Sequence, residues 1–223
     1  SPLIIRLSLF VYLLIIGMIA AGHYLYFSDP TTQALVYSLG KKCGQLAIGL
    51  LGVVVMPGIL GRFGIEIRII RIITLFRRQI GIMIFLLSFA HYSFNKSLPS
   101  FYGGVLPLMN LVIFELFGLL AFTILFLMFL TSNNWSVRKL GKWWKRLHRF
   151  VYASLLLLVL HTAMQKISIW SAGIIAVAVL EILSLVYDYL KKGGGEPSWR
   201  PPLKRKQQWL RLKLSGIIIE TTI

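Results

Sequence analysis

The chain is poor in cysteine, in acid and in histidine: one Cys, seven Asp and Glu against 24 Lys and Arg, and four His in 223 residues. With Cys43 alone there is neither an intrachain disulfide nor a thiolate metal cluster, and Cys43 reads as a small apolar residue at a helix start. No G-x-G-x-x-G run is present, so a dinucleotide-binding unit is not expected. Gly40-Lys41-Lys42 is a scrap of a phosphate loop that lacks the glycine spacing before it and the Ser or Thr after it.

The shortage of acid leaves a net charge of +17, which raises the question of nucleic acid. Its distribution answers against that. Hydrophobic residues make up 57% of the chain, charged residues 14%, and the mean hydropathy is +0.77. Apolar runs lie at about 3–27, 46–60, 80–94, 106–130, 150–164 and 169–190. The expectation is an all-α integral membrane protein, a six-transmembrane-helix bundle whose second and third runs borrow flanking residues. If both termini are cytoplasmic, twenty of the 24 Lys and Arg fall inside, and only Lys41, Lys42, Lys96 and Lys166 outside. That bias predicts an N-in, C-in topology, with the surplus charge facing anionic membrane lipid. The first run is too long for a signal-peptide core and has no small-residue cleavage site, so it is kept as structure.

Intramembrane histidines are the rarest chemistry in such a chain, and a histidine inside lipid is costly enough to be functional by default. His91 lies thirteen residues beyond Arg78 in the third run, and His161 twelve beyond Arg149 in the fifth. Both runs go from inside to outside, so the two rings should reach the same height. One imidazole from each of two parallel helices suits a haem iron held between them. His148 stands thirteen residues before His161, about 20 Å along a helix axis, and on an ideal helix roughly 140° away in angle. A distorted helix or a different role is therefore needed. The matching level on the third helix holds Arg77 and Arg78, leaving three readings for His148: a member of the interfacial basic loop, a ligand of a second haem, or a contact to a quinone headgroup. His23 reads as an interfacial histidine without a ligand role.

Met56-Pro57-Gly58 marks the bend that ends the second helix. Arg68, Arg71 and Arg78 recur at helical spacing among isoleucines, as in an amphipathic segment on the cytoplasmic surface. Glu115 either meets an arginine, carries a proton or faces a water pocket; Glu181 and Asp188 are equally open. Trp135, Trp143, Trp144, Tyr152 and Trp170 read as an aromatic belt. Residues 193–223 form a basic cytoplasmic tail after a Gly193-Gly194-Gly195 linker, with a candidate strand at its end.

One pattern is more specific than these. Arg77-Arg78-x-x-Gly81 with His91, then Thr131-Ser132, Arg138-Lys139-Leu140-Gly141-Lys142-x-Trp144, Leu147-His148-x-Phe150-Val151-Tyr152 and Leu160-His161, resembles the ferric reductase-like transmembrane family. Within it the likeness is to the haem-binding subunits of methionine sulfoxide reductase systems, and it runs from about Ser28 to Lys192. The resemblance implies a haem-binding domain over 1–192 and a b-type cytochrome that passes electrons outward across a bacterial inner membrane. It implies His91 and His161 as axial ligands of haem b and His148 as a further haem-binding histidine, with one or two haems in all. It also implies a separate donor, quinol or a cytoplasmic flavoprotein carrying FMN, and an external molybdenum-containing reductase as acceptor. The rival expectations are a ferric or cupric reductase component and a haem-free membrane scaffold.

Overall fold

A computed structural model describes residues 2–65, 67–109 and 111–191. The candidate terminal strand and the tail lie outside the described residues. The helices are α1 (Pro2–Ser28), α2 (Gln33–Arg62), α3 (Arg68–Tyr92), α4 (Leu98–Tyr102), α5 (Ile113–Leu130), α6 (Asn134–Leu140), α7 (Lys142–His148), α8 (Val151–Gln165) and α9 (Ile169–Lys191). Six stretches are long and apolar enough to cross a membrane: 6–28, 30–62, 68–102, 113–130, 142–165 and 169–191. Leu13, Leu75 and Ile169 are among many large apolar side chains left exposed, as a lipid-facing surface requires.

Neighbouring helices close into a ring, α2–α3–α5–α8–α9 and back to α2, with α1 packed outside against α2 and α3. One cluster of buried side chains, among them Val36, Ala90, Phe94 and Leu98, joins α1, α2 and α3. A second, with Leu51, Ile59, Ile84, Phe85, Leu125, Leu155 and Ile174, fills the ring, and Phe85 stacks on Phe129 at 4.3 Å between ring centroids. Tyr12 Oη donates to Gln79 O at 3.2 Å and ties α1 to α3.

Three boundaries differ from the sequence reading. The second helix begins thirteen residues before the apolar run, at Gln33, so Cys43 is a buried mid-helix residue rather than a helix start. The helix also runs through Pro57 to Arg62 instead of ending there. Proline lacks the N–H that Val53 O would accept and loosens the turn before it. In the same turn the Arg77 side chain bonds the neighbouring carbonyl, Nε and Nη2 both donating to Val54 O, at 3.2 and 3.1 Å. The arginine-isoleucine segment is not separate either: Arg68 opens α3, which continues unbroken to Tyr92.

Short caps set the remaining turns. Asp29 accepts from Thr31 N and Thr31 Oγ1 at 2.9 and 2.8 Å, which starts the turn into α2 and holds its carboxyl below the usual carboxylate range. Gly141 joins α6 to α7 at φ +48°, a conformation that side chains with a Cβ resist.

Candidate functional site

His91 sits in the last turn of α3, and the chain then passes into a π-helical turn at Ser93–Ser97. Such turns widen a helix by one residue and accompany functional sites. His161 lies in the second half of α8. Their ring centroids are 6.3 Å apart with the planes at 77°, so α3 and α8 meet through these rings at one height across the interior of the ring. The depth counted from Arg78 and Arg149 is thus realised in space.

Each ring is fixed by a different neighbour. His91 Nδ1 lies 3.0 Å from Gly40 O on α2, and His161 Nδ1 lies 2.7 Å from Phe114 O on α5. A carbonyl only accepts, so Nδ1 carries the proton in both, and a neutral imidazole then keeps its lone pair on Nε2. Both histidines are therefore held in the tautomer that a metal ligand needs. Two imidazoles on opposite sides of one metal have centroids about 6 Å apart, because each metal–nitrogen bond is about 2 Å. The observed 6.3 Å fits that arrangement. Among the described residues no three His, Cys, Asp or Glu side chains gather as a metal site. The two Nε2 atoms could hold a metal that brings its remaining ligands with it, as haem would.

Asn95 follows His91 by one turn. Its Nδ2 donates to Tyr37 O at 3.1 Å, while its Oδ1 is buried against Gly40 without a hydrogen-bond partner. Beside it a cavity of about 340 Å³ is lined by Asn95, Lys96, Ser100, Pro107 and Glu115. Lys96 Nζ is 2.7 Å from Glu115 Oε2, which also accepts from Val112 N at 3.1 Å. Of the three readings for Glu115, the structure gives it the cavity, and its cation is Lys96 rather than the arginine expected.

His148 is not brought to the pair. It ends α7, the helix breaks at Arg149 and Phe150, and α8 starts afresh at Val151. His148 stacks on Trp144 at 4.0 Å, and its Nδ1 lies 3.1 Å from Trp144 O. Trp144 in turn donates Nε1–H to Thr131 O at 3.0 Å. Trp144 thereby supports His148, and Trp135 and Trp143 are exposed. Arg78, bound to Asn134 Oδ1 at 2.8 Å, is near enough to act on His148 electrostatically. His23 has both nitrogens engaged, Nδ1 with Ile19 O and Nε2 with Ser93 Oγ, each at 2.8 Å, so it has no lone pair to give.

Sequence reasoning missed a polar knot at the basic end. Arg62 Nη1 lies 2.7 Å from Glu181 Oε1 and donates to Ser184 Oγ at 2.7 Å, while Nη2 donates to Tyr152 Oη at 3.1 Å. The guanidinium meets the carboxylate off the N–H axis, so the contact is an ion pair rather than a hydrogen bond, and Glu181 Oε2 is buried without a partner. Tyr152 is therefore part of this knot.

A family model described as the ferric reductase like transmembrane component matches residues 43–159, which include His91 and His148. The chain belongs to this family. It is an integral, multi-pass membrane protein by that membership and by its six spans. Among curated proteins it is similar to the protein-methionine-sulfoxide reductase heme-binding subunit MsrQ of Agrobacterium fabrum, at 30% identity over 48% of this chain and 51% of that protein. It is also similar to the proteins of the same name from Brucella ovis, at 31%, and Brucella melitensis, at 30%, over 56% of this chain and 59% of each. The chain thus spans about half to three fifths of the length of these relatives. No solved structure matches it.

Proposed function

We propose that the chain is the haem-carrying membrane subunit of an electron-transfer system, with His91 and His161 as the two axial ligands of one haem b. The observation that carries this reading is the 6.3 Å ring pair whose Nδ1 atoms are tied to carbonyls of α2 and α5, leaving both Nε2 lone pairs for iron. Haem, when bound, supplies a one-electron couple; the chain supplies ligands, depth and a dry surrounding. The charge bias sets the basic end in the cytoplasm and the histidine pair near the outer face of a bacterial inner membrane. Electrons then enter from quinol or from a cytoplasmic flavoprotein carrying FMN, and leave to an external molybdenum-containing reductase of methionine sulfoxide. The names of the relatives support a methionine sulfoxide reductase as the partner, and no more than that. His148, at the cytoplasmic end, is the candidate for a second haem or for a quinone headgroup.

The test is the visible spectrum of the detergent-purified chain, oxidised and dithionite-reduced, with haem counted per polypeptide. The wild type should give sharp reduced α and β bands, and His91→Ala and His161→Ala should each lose most of the haem. Wild-type haem in both variants would reject the pair.

A second reading, a ferric or cupric reductase component, is favoured by the family description and by the cavity beside Lys96 and Glu115, close to the histidine pair. Reduction of chelated iron by the chain and a flavin reductase, with no external protein, would support it.

A further inference from the structure

The two imidazoles are seated by one device used twice. His91 reaches the carbonyl of Gly40 and its ring lies over Gly44; His161 reaches the carbonyl of Phe114 and its ring lies over Gly118. In both helices the glycine stands four residues after the acceptor. Helix geometry gives the reason. Cα–Cβ bonds tilt toward the N-terminus, so a side chain at i+4 overhangs the carbonyl of residue i and blocks approach to it. A Cβ on Gly44 would come within 2.8 Å of His91 Nδ1, and one on Gly118 within 2.7 Å of His161 Nδ1. Neither ring could stay where it is, and the carbonyl bond would go with it. Other glycines on α2 serve different neighbours. Gly40 is tight against Asn95 and Phe94, and a Cβ on Gly52 would make ordinary contact with Val177 at 3.5 Å.

We propose that Gly44 and Gly118 are positioning residues for the two ligand histidines, absent side chains that open a backbone carbonyl to each imidazole. The bond so admitted fixes the proton on Nδ1, aims the ring, and makes Nε2 a stronger donor, which stabilises ferric over ferrous iron. The inference rests on the haem reading above. The plainer role for such glycines is close helix packing, as in G-x-x-x-G crossings, and Gly40 and Gly44 have that spacing. Packing alone would change stability and leave the iron untouched.

The experiment compares the wild-type chain, Gly44→Ala, Gly118→Ala and the control Gly52→Ala. It reads haem affinity by reconstitution of the apo chain, midpoint potential by redox titration, and the low-spin ferric EPR lines, with far-UV circular dichroism and thermal unfolding alongside. Gly44→Ala and Gly118→Ala should each bind haem about 10- to 100-fold more weakly, the usual cost of losing a ligand's supporting partner. The haem they retain should have a raised potential and shifted EPR lines, while Gly52→Ala matches wild type. Wild-type potential and EPR lines in both alanine variants would overturn the inference, however much stability they lose. A colourless wild-type chain would instead overturn the haem reading itself, so the two failures are distinct.

Discussion

Arg62 Nη1 stands 2.7 Å from Glu181 Oε1, and this ion pair fastens the last residue of α2 to the middle of α9 inside the bundle. The Glu181 side chain is 4% exposed and that of Arg62 16%, so neither charge is well hydrated. The knot closes the ring of helices at its basic end, as the histidine pair spans it toward the other.

Removing one partner strands the other. Glu181→Ala should destabilise the detergent-solubilised chain by about 3–5 kcal/mol, because an uncompensated guanidinium is left buried. The double replacement Arg62→Met with Glu181→Leu should cost much less, since both desolvation penalties vanish together. Unfolding midpoints of the two variants check this. A double variant as unstable as Glu181→Ala would mean that Ser184 and Tyr152, not the charge pair, hold the joint.

The height of the histidine pair was legible in the sequence because a basic residue marks the start of each span, and helical rise turns residue counts into depth. What the counts could not give was support. Gly40, Phe114, Gly44 and Gly118 reach the rings from other helices, and a glycine with no side chain leaves no hydropathy signal. The start of α2 was hidden for a related reason: Gly40, Lys41, Lys42 and Gly44 dilute the apolar run although the backbone is helical throughout. Pro57 read as an end because its missing N–H predicts one, yet the helix continues through it to Arg62, and the Arg77 side chain that bonds Val54 O in that turn comes from another helix, 23 residues away in sequence. The Arg62–Glu181 pair was invisible, as a lone acid in an apolar span names no partner.

At the other end, Lys96 and Glu115 are both partly exposed, 21% and 25% at the side chain, so their ion pair is worth about 0–1 kcal/mol. Glu115 has a second task. Val112, at the N-cap of α5, has no polar side chain, and Glu115 takes its backbone N–H instead. Glu115→Ala should therefore destabilise by about 1 kcal/mol more than Lys96→Ala, the typical cost of a lost cap. Raising the salt concentration should weaken the wild type toward Lys96→Ala without closing the gap to Glu115→Ala. Equal costs would show that the cap contributes nothing.

His23 provides the contrast to the proposed ligand pair. With Nδ1 on Ile19 O and Nε2 on Ser93 Oγ, it links α1 to the π-helical turn behind His91. His23→Ala should keep the haem content and the spectrum while lowering stability by about 1–3 kcal/mol, because Ser93 is buried and loses its partner. Loss of haem comparable to His91→Ala would place His23 in the iron site instead.

His148 is held as firmly as the pair but at a different level. Trp144 stacks on its ring and supplies the carbonyl for its Nδ1, so its Nε2 is the open nitrogen, and no other histidine ring meets it. Some thirteen residues, about 20 Å of helix rise, separate it from His161, more than one haem iron can bridge. His148→Ala should therefore leave the bis-histidine spectrum intact. Haem counted per polypeptide then decides its role: a fall by one haem relative to wild type assigns it a second haem, and an unchanged count leaves a headgroup contact or a structural place beside Trp144. Complete loss of haem would contradict the separation of the two levels. Trp144→Ala should repeat whichever partial effect His148→Ala shows, because it removes the stack that fixes the ring.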